Sequence, residues 1–300
     1  EDAFAFVKLL LEVPRQREVP VYVVLTMRAD FLGSCTLFQG LPEAINEGQY
    51  LIPSMTREQI RRAIEQPVAV AHAEITPRFV QRLLDDGGDN PDLLPIVQHA
   101  LMRTWDYWEQ HSEGSQPLDE EHYEAIGTIE EALSQHAEEA YSELQDENTR
   151  WIAEILFKHL TFKVSGGRGL RRQSTLGEIC RAAGAEPDEV SAVVEPFRLS
   201  QRWFITPSSD TPLKEDTVLD LSHESLMRVW KRLITWVDEE ADSAQLYMRL
   251  GNTAALYQEG KARLYQDPDL ELALNWQRQN RPTLAWAQRY DPAFERAITF

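Results

Sequence analysis

Only two cysteines, Cys35 and Cys180, occur in the 300 residues, and they lie far apart with no CxxC spacing. Such usage indicates neither a disulfide framework nor a metal knuckle, and leaves both as buried apolar fillers. Long hydrophobic runs are also missing. Stretches such as Val21 to Leu25 are far too short to cross a bilayer, and the opening Glu1-Asp2-Ala3-Phe4 lacks the basic start of a signal peptide. A cytoplasmic protein without membrane contact is the expectation. Positive charge is scarce: 30 basic against 49 acidic side chains leave a net charge of −19, which repels nucleic acid. His99, His111, His122 and His136 are scattered over helical stretches without an HExxH or paired-carboxylate pattern, so no metal site is expected.

What is present suits about two domains, with 43% hydrophobic residues, 8 Trp and 11 Phe ample for a sizeable core. One segment, Val19 to Gly33, reads as a fully buried strand. Val21, Val23, Val24 and Leu25 form an apolar, β-branched run without polar alternation, the signature of a strand covered on both faces in a parallel α/β sheet. Ligands bind beyond the carboxyl ends of such strands, so Thr26, Met27, Arg28 and Asp30 are expected at a crevice. On position alone, Arg28 serves equally well as a partner for an acidic neighbour. An amphipathic helix over residues 3 to 13 precedes the strand and is ended by Pro14. A lone parallel strand cannot form a sheet. Its neighbours are therefore expected upstream, in a longer parent protein.

From Met55 onward the pattern is helical. Thr56-Arg-Glu-Gln59 reads as a capping box opening a helix to about Val70. Thr76 and Pro77 open the next, which ends at Gly87-Gly88. A third opens after Asn90-Pro91 and runs towards Trp108, with Pro95 near its first turn, where a missing N–H costs little. Asp119 to Ile126 and Ile129 to Leu144 complete the block. From Thr149 the order becomes a helix Trp151 to Phe162, a Gly/Arg loop Ser165 to Gln173, and a helix capped by Ser174 or Thr175. A helix from Pro187 to about Ser200 follows, with short strands Trp203 to Thr206 and Thr217 to Leu221. Three helices and a β-hairpin are winged-helix order. A long amphipathic helix is expected from Ser222, carrying Leu226, Val229, Trp230, Leu233, Trp236 and Val237. The Trp105, Trp108 pair and this stripe read as core.

At Ser222-His-Glu-Ser225 a strand runs into this helix start, which sets His223 beside free backbone N–H groups where anions are favoured. The alternative is that Ser222 and His223 only cap the helix.

Together these stretches resemble the C-terminal part of the novel STAND NTPase domain, an ATP-dependent switch often found in bacterial proteins ahead of WD40 or other repeats. The carriers are VVLTMRADFLG (Val23 to Gly33), GLPEAI (Gly40 to Ile45), IPSMTREQIRRAIEQP (Ile52 to Pro67), DNPDLLPIVQHAL (Asp89 to Leu101) and SHESLMRVWKRL (Ser222 to Leu233). The resemblance covers nearly the whole chain. It implies a mainly α architecture: the C-terminal end of a P-loop α/β core over residues 1–53, a helical lid over 54–147, a winged-helix domain over 148–242 and a helical extension over 243–300. It further implies nucleotide-binding roles for three residues: Arg28 as the sensor near the γ-phosphate, Pro95 as the lid proline against adenine, and His223 as the contact to the β-phosphate of ADP.

One departure matters. No GxxxxGK[ST] occurs, Gly260-Lys261 is the only Gly-Lys pair, and no apolar strand ending in Asp or Glu precedes the first helix. Ser165 to Arg172 is Gly-rich and basic but lacks the lysine, and reads as a loop. The chain alone is therefore expected neither to hydrolyse ATP nor to hold it tightly, with ATP/ADP and Mg belonging to the full-length parent.

The leading expectation is a signalling switch that ADP holds closed and ATP opens for self-association, with repeat or effector domains downstream. Defence signalling is what the family's company suggests. The rivals are a winged-helix DNA-binding regulator and an interaction scaffold with an inactive nucleotide site. The first rival suffers because its recognition helix, Pro187 to Ser200, carries Asp188, Glu189 and Glu195 against Arg198 alone.

Overall fold

A computed structural model describes residues 2–27, 29–88, 93–112, 116–163, 167, 169–199, 202–291 and 293–300, the side chains of 29–31, 93 and 130 excepted. The chain is mainly helical and divides into two compact units, Glu1–Thr56 and Arg57–Phe300.

The first unit holds α1 (Asp2–Glu12), a 3-10 turn at Val13–Arg15, a 3-10 segment at Ala29–Leu37 and α2 (Leu41–Gly48). Here the sequence reading of a buried strand is corrected. Residues 21–27 pair with no neighbour, and Tyr22 and Val24 are 88% and 85% exposed. The apolar run was read correctly as β-like, but a strand exists only through ladder partners, and this unit offers none among the described residues. Only Cys35 and Leu41 of its described residues are buried. The unit therefore presents Phe4, Phe6, Leu9, Val19 and Leu25 to its surroundings.

The second unit begins with α3 (Arg57–Val70), α4 (Pro77–Gly87), α5 (Leu93–His111), α6 (Glu120–Ala125) and α7 (Thr128–Ser142). The Thr76 hydroxyl accepts from Phe79 N–H (3.3 Å), and Gly88 leaves the helix at φ 50°, a conformation that suits a residue without Cβ. This cap presents Phe79, Val80, Leu83 and Leu84 to one core, which they share with Ile64, Val97, Tyr123 and Ile126. Asp119 fixes the start of α6. Its carboxylate accepts from Glu120 N–H (2.8 Å), Thr76 Oγ1 (2.7 Å) and Arg78 Nε (2.6 Å), while His122 Nδ1 accepts from Asp119 N–H (3.1 Å). The hydrogen-bonded Arg78 guanidinium pulls the Asp119 pKa down to about 2.

A second core is built from α8 (Glu147–His159), α9 (Leu176–Ala183), α10 (Pro187–Arg198), α11 (Leu226–Val229) and the first turns of α12 (Lys231–Gln258). The Asp146 carboxylate caps α8, and Thr175 with Glu178 forms a reciprocal capping box on α9. A two-stranded ribbon, β1 (Thr161–Phe162) with β2 (Leu170–Arg171), precedes a three-stranded antiparallel sheet of β3 (Ser174–Thr175), β4 (Ile205–Thr206) and β5 (Val218–Leu221), in the order β3-β5-β4. Register pairs Ser174 with Leu219 and Ile205 with Leu221, which buries Ile205, Leu219 and Leu221 on one face. The first of the two expected strands starts at Ile205 and not at Trp203, whose φ of 42° is incompatible with a ladder.

The long helix expected from Ser222 is likewise corrected. The chain forms only the single turn α11 after Ser225, breaks at Trp230 with an extended ψ of 103°, and restarts as α12. The break follows from tertiary demand. Trp230, 1% exposed, sits edge-on against Phe157 (4.8 Å) and Trp236 (5.6 Å) and donates Nε1–H to Glu138 (3.0 Å), which an unbroken helix would not aim there.

Thereafter α12 runs unbroken through residues 242 and 243 into a third core of Tyr247, Leu250, Trp276, Ala287 and Ala297. That core is completed by α13 (Asp269–Asn280), α14 (Leu284–Ala287) and α15 (Phe294–Thr299). Cys35 and Cys180 are both buried and outside any disulfide, and no helix among the described residues is long and apolar enough to cross a membrane.

Candidate functional site

The histidine turn is held from three sides. Ser222 N–H donates to Phe204 O (2.9 Å), tying the exit of β5 to β4's approach. Arg171 on β2 donates Nη1–H to Leu221 O (2.7 Å) and Ser222 O (3.4 Å). The same guanidinium lies 3.9 Å from Asp220 and from Glu224, the latter also 3.4 Å from Arg228. His223 itself is half-buried, and its Nδ1 accepts from Ser225 N–H (3.2 Å) and touches Ser225 Oγ. A nitrogen that accepts cannot carry the proton, so the neutral ring holds its hydrogen on Nε2 and is a donor there.

This arrangement modifies the sequence reading of His223. The residue lies three positions before a helix of one turn, so a macrodipole contributes little, and Nδ1 serves the backbone as a local cap. Pro95 is the third residue of α5, half-buried beside Ile96 and Val97 of the first core. Arg28 lies outside the described residues. Thr26 and Met27 before it are exposed.

Several polar centres escaped the sequence reading because their partners are distant in the chain. His99 on α5 and His136 on α7 face each other, Nε2 to Nδ1 at 3.2 Å, with Phe204 at 5.9 Å and 5.3 Å from the two rings. Glu138 accepts from Trp230 and grips the Arg232 guanidinium (Nε 3.0 Å), which also lies 3.9 Å over Tyr141. Arg198, counted above as the recognition helix's cation, is wholly buried. It donates to Pro207 O (2.7 Å), Thr211 O (2.6 Å), Ser208 O and Glu195 (2.7 Å), and so pins the loop after β4. Among the described residues no group of three or more His, Cys, Asp or Glu is placed to hold a metal ion. Trp105 and Trp108 pack together at 5.0 Å against the first core.

Capped helices in three cores, a small antiparallel sheet and a histidine-bearing turn at its exit define a mainly helical, multi-part chain. The family model of Novel STAND NTPase 1 matches residues 1–264, and the chain belongs to that family. No curated protein and no solved structure matches it.

Proposed function

We propose that this chain is the C-terminal part of a nucleotide-operated signalling switch, in which His223 supplies a hydrogen bond to a phosphate of bound ADP. Family membership carries the reading. The N–H at His223 Nε2 supports it, because a ring donor suits a phosphate oxygen. In this reading α8, α9 and α10 with the β3-β5-β4 sheet form a winged helix, α3 to α7 form the lid with Pro95 against the base, and Arg28 is the sensor for the γ-phosphate. The exposed apolar segment before Arg28 would be a strand of a P-loop sheet whose other strands, phosphate cradle and magnesium carboxylate lie elsewhere in the full-length protein. Closed with ADP and opened with ATP, such a protein would self-associate.

His223 works alongside other contacts. A hydrogen bond to a charged group contributes about 1.5–3 kcal/mol, whereas swinging a switch from about 1:99 to 99:1 needs about 5.5 kcal/mol. His223→Ala in the full-length protein should accelerate ADP loss by roughly ten- to a hundredfold, with more oligomer on sizing. Unchanged nucleotide occupancy together with an unchanged elution profile would defeat the assignment. The DNA-binding reading loses further ground: with Arg198 consumed inside the fold, α10 turns only Asp188, Glu189 and Glu195 among its charged groups toward a partner. Tight binding to random duplex at low salt would reverse that ranking.

A further inference from the structure

A cavity of about 510 Å³ opens where α8, α12, α13 and α14 meet, and nothing in the switch reading uses it. Three indoles line it: Trp151 is 46% exposed, Trp276 is buried, and Trp286 lies 6.0 Å from Trp276. The inner two are locked through their N–H groups, Trp276 to Ser243 Oγ (2.6 Å) and Trp286 to Glu240 Oε1 (2.9 Å). Their hydrogen-bonding edges are therefore spent on α12, and what remains for an occupant is the π surface.

The lining carboxylates supply the second feature. Glu240 is 9% exposed, and its Oε1 already takes bonds from Trp286, Tyr290 OH (2.6 Å) and Arg289 Nη1 (3.0 Å), while its Oε2 accepts none among the described residues. Lys158 is satisfied by Glu154 (2.6 Å) and Glu239 (3.6 Å). Asp242 at the rim makes no hydrogen bond or ion pair among the described residues, and neither does the side chain of Arg281 across from it in sequence on the α13 exit. The neighbourhood already holds one cation against a ring, the Arg289 guanidinium 5.4 Å from Tyr290.

Indole surfaces, an idle acceptor in the floor and a free carboxylate at the mouth together suit a positive charge stripped of part of its water. We propose that this cavity binds an organic cation of the alkylammonium or guanidinium class, the charge seated against Trp151, Trp276 and Trp286 with Asp242 and Glu240 as counter-charges. The chain's net charge of −19 favours delivery of such a ligand. Among the described residues Arg281 is the one unpaired like charge on the rim, and it acts as a brake on affinity.

The test is titration of the chain with tetramethylammonium, spermidine and agmatine at constant ionic strength, followed by tryptophan fluorescence and calorimetry, with sodium as control. Saturable binding of at least one organic cation, and none of sodium, is expected. Trp151→Ala and Asp242→Asn, both exposed and therefore safe for folding, should each weaken it by roughly fivefold, whereas Arg281→Ala should tighten it by about twofold or more. A short Lys/Arg-containing peptide forms a second arm. Binding tighter than the free amines would assign the cation to a partner's side chain, and weaker binding would assign it to a free small molecule. Absence of saturation, indifference of the variants, or displacement by a carboxylate instead of a cation would overturn the site.

Discussion

Acidification from about pH 7 to about pH 5 should cost this fold several kcal/mol, well before its carboxylates titrate. Three histidines are responsible. Burial pushes the His99 pKa down to about 4, His136 to about 2 and His159 to about 3, from the ordinary 6.5. Neighbouring cations add to it: Arg103 acts on His99 and, with His99 and Arg202, on His136, while Arg289 and Arg172 act on His159. Arg103 and Arg202 are themselves paired with Glu139 (2.7 Å) and Glu143, which softens but does not cancel their effect.

The sign is fixed by the folded state binding fewer protons than the unfolded chain. The contribution is fully present above pH 6.5 and is lost as pH falls from there toward the depressed values. Over that span each histidine gives up about 1–2 kcal/mol by about pH 5, a large share of the roughly 5–15 kcal/mol that holds a typical domain together. Urea denaturation at stepped pH measures it. His136→Gln, which keeps a polar side chain beside His99, should flatten the slope. A wild-type curve level from about pH 7 to about pH 5 would contradict the burial of these rings. A separate loss is expected at lower pH, where Asp119 is protonated near its depressed value of about 2.

The second large effect is on packing. Trp230→Ala should destabilise the second unit by about 3–5 kcal/mol. Its indole is 1% exposed and meets Phe157, Trp236 and Phe197 at 4.8, 5.6 and 6.1 Å. Removing it opens a cavity at the joint between α11 and α12 and deprives Glu138 of one donor. Trp230→Phe should cost less, about 1–2 kcal/mol, since it restores most of the ring contact and loses the N–H. Truncating the half-exposed Trp151 should stay within about 0.5 kcal/mol. Chemical denaturation of the three variants separates these cases, and a Trp230→Ala cost as small as that of Trp151→Ala would show the joint to be loosely packed.

Local chemistry was readable from the sequence wherever the cause lies within a few residues. Thr76 with Pro77 starts a helix where such residues satisfy the first free N–H groups, Thr175 of the two expected caps starts another, and the paired strands lie within the expected stretches Trp203 to Thr206 and Thr217 to Leu221. Leu226, Leu233 and Trp236 form core as their spacing implies. The failures share one origin, interactions between residues far apart in sequence. The run at Val21 carried every local mark of a buried strand, yet its state depends on ladder partners. Trp230 interrupts a helix because Glu138, 92 positions earlier, holds its N–H. Arg198 looked like a solvent-facing cation until the loop at Pro207 to Thr211 closed over it. His99 and His136, 37 residues apart, meet only because α5 and α7 pack together. Of the candidate nucleotide residues, the spacing at Ser222 to Ser225 marked the turn, but the Nδ1 cap that sets the tautomer of His223 is visible only in three dimensions.

The most direct test of the switch is the ADP dissociation rate of the full-length protein, compared between wild type, His223→Ala and His223→Gln. If the His223 N–H holds a phosphate of ADP, His223→Ala releases ADP roughly ten- to a hundredfold faster, and His223→Gln, which keeps an N–H donor, falls between the two. Rates that ignore both substitutions would contradict the assignment.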